Sequence, residues 1–273
     1  APMPPASITK IMTLLLTFEA MDQGKFQYDT LLNCSEHAAS MGGSQIWLEP
    51  GEEMTVDEIL RATFISSAND AAVVLAEAVA GSEDAFVSMM NEKAKELGME
   101  NTHFANATGL DAQEHYSTAR DIALMSAALL RYPDVTRYST VWMDSLRGGT
   151  TELVNTNKMV RFYNGATGLK TGTTNGAGSC LSASAQRDNL SLIAVSLGSD
   201  TSAQRFASCR TLLDYGFANY VTVQPPSLQE QLTPVPVLHG VQRQVDLAYD
   251  LPPSFVMKRG EENSLTQEVE LAE

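Results

Sequence analysis

Positive charge is what this chain has least of. Its 273 residues carry 18 Lys and Arg against 33 Asp and Glu, a formal charge of −15 with a pI near 4.6. That balance argues against nucleic acid, or an anionic membrane surface, as a partner of this segment. Cysteine is also scarce. Cys34, Cys180 and Cys209 are odd in number, widely spaced and free of any CxxC pair, so they read as isolated thiols and not as a disulfide framework or zinc site. His37, His103, His115 and His239 have no ligand spacing either, and no metal or other cofactor is expected. No run is apolar enough to span a bilayer, and no signal-peptide pattern is present. The chain opens at Ala1 and runs directly into an apolar segment, which reads as a front end that has been cut, so localisation is not legible in its ends. With 44% hydrophobic and 19% charged residues, the chain is globular and long enough for one large domain plus a smaller one.

What is present begins at once. From Ser7 to about Met21 the chain is apolar nearly all round, through Ile8, Ile11, Met12, Leu14, Leu15, Leu16 and Phe18, which predicts a helix in the middle of a domain. Pro5 stands just outside its first turn, where a missing N–H costs nothing. Ser7 and Lys10 are three apart and share a face. Burial lowers the pKa of a lysine towards that of a useful base, and a serine hydroxyl needs such a base to become a nucleophile. Alone, Ser-x-x-Lys is more often a capping serine with a solvated lysine.

Further along, a loop-rich stretch extends to Pro50-Gly51, and Thr55-Val56-Asp57-Glu58 is a capping box opening a helix. That helix meets Ser66-Ser67-Ala68-Asn69, and a second apolar helical run follows from Asp70 to Ala80. Ser82 caps a third helix ending at Gly98. A polar loop, Asn101 to Tyr116, leads to a helix opened by Ser117-Thr118 and ended by Pro133. Val141 to Asn155 reads as a hairpin turning at Gly148-Gly149. Three strands are expected at Gly165–Thr173, Ser179–Gln186 and Leu190–Gly198, the last two antiparallel, and a helix at Ser202–Tyr220. Beyond Val221, prolines mark a linker or edge region. Val245, Leu247, Tyr249 and Leu251 then alternate as a strand, and Val269 and Leu271 begin another. Residues 1–222 are thus expected to form one domain and residues 223–273 the beginning of a small β domain.

Two further triplets join the first. Ser67-Ala68-Asn69 falls at a helix–helix break, which places polar side chains in a cleft. Lys170-Thr171-Gly172 lies on a strand, where glycine admits a ligand backbone and the hydroxyl of Thr171 or Thr173 can take a carboxylate. Singly these are a helix cap and a turn. In this order they are the signature of β-lactamases and penicillin-binding proteins. The segments PPASITKIMT, ISSANDAAVVLAEAVAG, STARD and GLKTGTTNGAGSCLSASA resemble the low-molecular-mass penicillin-binding proteins, the serine-type D-alanyl-D-alanine carboxypeptidases. The resemblance covers roughly Pro4 to Tyr220, and the tail resembles the start of that family's C-terminal β domain.

The resemblance implies a mixed α/β (α+β) transpeptidase fold, an antiparallel sheet flanked by helices plus an all-helical part. It implies that Ser7 attacks the carbonyl between the terminal D-alanines of a peptidoglycan stem peptide, with Lys10 as base. Ser67 and Lys170 relay a proton to the leaving D-alanine, and Asn69 orients the substrate amide. The N–H groups of Ser7 and Thr173 form the oxyanion hole. Thr171, Gly172 and Thr173 line the strand that substrate pairs with, and Arg205 takes the terminal carboxylate. Penicillins are expected as covalent inhibitors, and the bacterial cell envelope as the location. Membrane attachment is expected only through a C-terminal anchor that this segment lacks. Two strands of the family's sheet precede the Ser-x-x-Lys helix, so the strand from Leu190 is expected to show an open edge. A β-lactamase would need a deacylating glutamate between the second and third triplets, and Glu152, in the hairpin, does not have that setting. A non-catalytic binding or sensor domain is the other alternative, with all motif residues intact against it.

Overall fold

A computed structural model describes residues 1–225, 227, 232–238, 240–248 and 254–266. Its chain order begins with the apolar segment, which does not start as an ordinary α-helix. Ala6–Thr9 form a tight 3₁₀ turn behind Pro5, and helix α1 follows at Lys10–Asp22. Ten of the thirteen residues of α1 are buried, Lys10 among them. The central position expected of an all-round apolar helix is what it has: α1 packs on helices α4 (Asn69–Ala80) and α6 (Ala119–Leu129).

The stretch read as loop holds three small elements, β1 (Leu31–Asn33), α2 (Glu36–Ala39) and β2 (Glu53–Thr55), with β1 and β2 antiparallel. They are too short for periodicity to reveal. The capping box at Thr55 is present, with Glu58 returning to the Thr55 N–H, and it opens α3 (Val56–Arg61). A π-helical turn, Ala62–Ser66, then leads to Ser67 in the left-handed region and a fresh start at α4. Helix α5 (Glu83–Glu96) is capped by Ser82. Helix α6 ends at Leu129, before the position expected from Pro133. The N–H groups of Arg131 and Tyr132 turn back to Ala128 and Leu129 instead of continuing the α pattern, consistent with the restriction a proline places on what precedes it. Helix α7 (Val135–Ser139) follows, then the hairpin β3 (Met143–Leu146) and β4 (Thr151–Val154), and helix α8 (Met159–Phe162).

The main sheet has the order β5 (Ala166–Thr174), β6 (Gly178–Arg187), β7 (Leu190–Ser199). Lys170 lies mid-strand opposite Ser182, and Gly172 opposite Cys180. Among the described residues β7 has no second neighbour. Helix α9 (Ser202–Asn219) follows. Two compact units are present, residues 1–186 with 191–214, and residues 187–190 with 215–273. In the second, β8 (Tyr220–Val223) pairs with β11 (Phe255–Lys258), and β9 (Val235–Pro236) with β10 (Gln244–Val245). Of the alternating strand expected from Val245, only Val245 itself lies in a strand, and residues 246–248 do not. Tyr249, Leu251, Val269 and Leu271 lie outside the described residues. No helix among those described is long and apolar enough to cross a membrane, none of their acidic, His and Cys groups cluster for a metal, and all three cysteines are free and buried.

One buried carboxylate fastens the loop before α3 to α4. Asp70, with no exposed surface, accepts the N–H groups of Ile46, Leu48 and Ala71 at 2.9–3.3 Å. This loop also presents Gly42 and Ser44 carbonyls to Asn69. Asp70→Ala should cost about 3 kcal/mol, because the N–H groups of Ile46 and Leu48 lose their carboxylate partner in a buried setting. Urea unfolding of both proteins measures it, and a loss below about 1 kcal/mol would show that water replaces the carboxylate.

Candidate active site

The three triplets converge through long-range hydrogen bonds. Lys10 Nζ lies 3.1 Å from Ser7 Oγ, 2.5 Å from Asn69 Oδ1 and 2.8 Å from the Thr108 carbonyl. Three acceptors match the three protons of an ammonium. The third was not legible in the triplets: a carbonyl has no residue signature, and Thr108 belongs to the polar loop before α6. Lys170 Nζ donates to Ser67 Oγ at 2.8 Å and to the Thr171 carbonyl at 3.2 Å. Lys10, Ser67, Asn69 and Lys170 are all buried, whereas Ser7 is half-buried.

Electrostatics follow from that burial. Desolvation first, and then repulsion from Lys170, hold the Lys10 amine well below the ordinary lysine range, with Asp70 opposing. Burial and the Arg205 guanidinium bring Lys170 down to about 7. Both amines can therefore lose a proton at far lower cost than a surface lysine. A hydroxyl 3.1 Å from such an amine has within reach a group that can take its proton.

The backbone around these groups is strained at two non-glycine residues. Ala6 has φ 49° and Ser67 φ 63°, each costing on the order of 1 kcal/mol or more. Asn69 restrains the second turn: its N–H meets the Ser44 carbonyl and its Nδ2 the Gly42 carbonyl, both at 2.6 Å. The first turn is pressed between two glycines. A Cβ on Gly172 would stand 2.9 Å from Ser7 N and from the Pro5 carbonyl oxygen, so this glycine lets β5 lie directly against the turn. A Cβ on Gly109, where φ is +86°, would stand 1.9 Å from the Ala6 carbonyl oxygen.

The remaining expected residues are placed as follows. Arg205, buried on α9, donates from Nη1 to the Gly172 carbonyl and Thr173 Oγ1 at 2.8 Å and to the Cys180 carbonyl at 3.2 Å, while its buried Nε has no hydrogen-bond partner. Thr173 is exposed, with its hydroxyl also donating to the Gly172 carbonyl. The Thr171 hydroxyl is turned to Thr156 Oγ1 at 2.6 Å. Asp70, Thr108 and Gly109 are the parts that the triplets did not announce. Asp70 was legible only as the start of the second helical run, and Thr108 and Gly109 only as part of the polar Asn101–Tyr116 loop.

Gly109→Ala should destabilise the protein by about 2–4 kcal/mol, since backbone must move and the new residue holds a left-handed φ. Thermal unfolding tests this; a melt unchanged within about 0.5 kcal/mol would place the loop further from Ala6.

Comparison with known proteins agrees with this geometry. The family model for D-alanyl-D-alanine carboxypeptidase, peptidase S11, matches residues 1–201. The chain is 46% identical to the D-alanyl-D-alanine carboxypeptidase DacF of Bacillus subtilis, over 98% of this chain and 70% of that protein. It is 34% identical to the D-alanyl-D-alanine carboxypeptidase DacA of Escherichia coli, over 94% of this chain and 65% of that protein. The crystal structure of penicillin binding protein 5 from Haemophilus influenzae superposes with a TM-score of 0.84 at 29% identity, covering 96% of this chain and 78% of that one. The chain thus spans about two thirds of the length of the curated relatives it matches.

Proposed function

Because the chain belongs to the peptidase S11 family of D-alanyl-D-alanine carboxypeptidases, we propose that it removes the terminal D-alanine from peptidoglycan stem pentapeptides through a serine acyl-enzyme. The observation that carries this reading is the 3.1 Å contact between Ser7 Oγ and the buried, acidified Lys10 amine. Ser7 Oγ attacks the carbonyl between the last two D-alanines as its proton passes to neutral Lys10 Nζ. The C–N bond breaks, and the departing amine takes a proton through Ser67 from Lys170, whose pKa near 7 lets it give and regain one at neutral pH. Water then hydrolyses the ester at Ser7.

The other roles follow the same chemistry. Asn69 holds Lys10 through Oδ1 and orients the substrate amide. The N–H groups of Ser7 and Thr173 face the charge that develops on the carbonyl oxygen. Thr171, Gly172 and Thr173 form the strand along which substrate lies. Arg205, with protonated Lys170, gives an otherwise acidic chain a local field suited to the terminal carboxylate. Penicillins enter as substrate mimics whose leaving amine stays tethered, so the acyl-enzyme persists. The catalytic part is assigned to residues 1–222 and a β-rich second part to residues 223–273. Peptidoglycan as substrate places the protein in the extracytoplasmic cell envelope, with no cofactor required.

A fluorescent penicillin should add one acyl group to the protein and none to Ser7→Ala, read by intact mass. Equal labelling of both removes Ser7 as nucleophile. Lys10→Arg keeps the charge but cannot give up its proton near neutral pH, so acylation should slow by roughly two to four orders of magnitude. For the wild type, the rate should fall on acidification, as Lys10 must be neutral to accept a proton, and fall again above about 7 as Lys170 loses the proton it gives to the leaving amine. Flat rates from pH 6 to 9 in both proteins put the base elsewhere.

A further inference from the structure

Outside the three triplets, one buried titratable side chain touches the catalytic turn. His115 is 5% exposed, with the edge of its ring against Phe104. Its Nδ1 accepts the Ala105 N–H at 3.0 Å, and a backbone amide can only donate, so the ring proton resides on Nε2. Nε2 therefore donates to Thr9 Oγ1, 2.7 Å away. Thr9 immediately precedes Lys10.

The loop that carries His115 is the one that supplies the Thr108 carbonyl to Lys10. Its shape is set by Asn106, whose Oδ1 accepts from Thr108 N, Thr108 Oγ1 and Gly109 N. Its second fastening to α1 is Thr13 Oγ1, which donates to the Ala107 carbonyl at 2.6 Å. Thr9, Lys10 and Thr13 fall on one helical face, so the loop is joined to that face at three points, with the reactive amine between the other two.

We infer that His115 and Thr9 are a positioning pair, which clamps the catalytic turn to the 105–109 loop and so fixes the Lys10 amine for the reaction proposed above, on which this inference rests. A lysine side chain has four rotatable bonds, and displacement of a reacting group by about 1 Å can cost two orders of magnitude in rate. The clamp requires a neutral ring. Burial, assisted by His103, holds His115 at about 4 against the opposing pull of Asp111. The other charged groups bearing on the loop are Lys10 itself and Glu83 of α5, which accepts the Ala107 N–H. The lowered pKa means that the contribution of the neutral ring to stability is full above about 6.5 and is lost as pH falls towards 4.

The test compares wild type with Thr9→Val, His115→Phe, the double variant and His115→Gln. Penicillin titration counts functional sites, and the acylation rate per site is followed from pH 5 to 9 alongside thermal melting. Thr9→Val and His115→Phe should each slow acylation per site about ten- to a hundredfold. They should also move the acidic limb to lower pH, because an ammonium deprived of the Thr108 carbonyl loses its proton more easily. The double variant should be no slower than His115→Phe, since one link is cut either way. His115→Gln, which retains an acceptor and a donor, should recover part of the rate. Unchanged per-site rates and pH limbs, even with lower melting temperatures, would make the pair merely structural and overturn the inference. A wild-type protein that forms no acyl-enzyme would instead overturn the functional reading beneath it.

Discussion

An amine-bearing side chain with no exposed surface, at the start of an apolar helix, is the constraint on which the rest of this structure depends. Lys10 cannot be carried there uncompensated. Its acceptors come from the turn before α1, from the start of α4 and from the loop before α6. Each of those segments is in turn fixed by other bonds. Asp70 ties the 42–48 loop to α4, and Asn106, Thr13 and His115 shape and fasten the loop that ends in Thr108 and Gly109. The helical part is organised as much by satisfaction of one amine as by burial of apolar surface.

The two lysines act on each other. Lys170 contributes to the lowering of Lys10, and Arg205 to that of Lys170. Three cations gathered near one edge of β5 work against folding, and Asp70 offsets part of that cost at Lys10. The same arrangement brings Lys170 to about 7 and holds Lys10 well below the ordinary lysine range, so both amines lose protons more readily than surface lysines. Tight pairing of either lysine with a carboxylate would relieve the repulsion and restore an ordinary, unreactive ammonium.

How much of this was legible depended on what kind of group did the work. Elements with long periodic patterns or strong caps were readable: the hairpin at Gly148-Gly149, the capping box at Thr55, the three strands and α9 follow from local chemistry. The 31–55 stretch was not, because strands of three residues have no measurable period. The triplets pointed to Ser7, Lys10, Ser67, Asn69 and Lys170 because side chains carry their own names. Thr108 and Gly109 contribute a carbonyl and the absence of a Cβ, which any polar loop could offer. Their role exists only where that loop meets α1. His115 was readable as a lone histidine and nothing more, since a single ring has no spacing to interpret.

The strained positions show how closely the chemistry is tied to the whole fold. Ala6 and Ser67 both hold a positive φ without being glycine. The residues that secure their turns are distant in sequence: Asn69 is 59 residues from Lys10, Thr108 is 98 and Lys170 is 103 from Ser67. Lys170, by contrast, sits mid-strand opposite Ser182 of β6. Ser7, Lys10, Ser67, Asn69 and Lys170 come together as a product of tertiary folding, through bonds that span up to 103 residues.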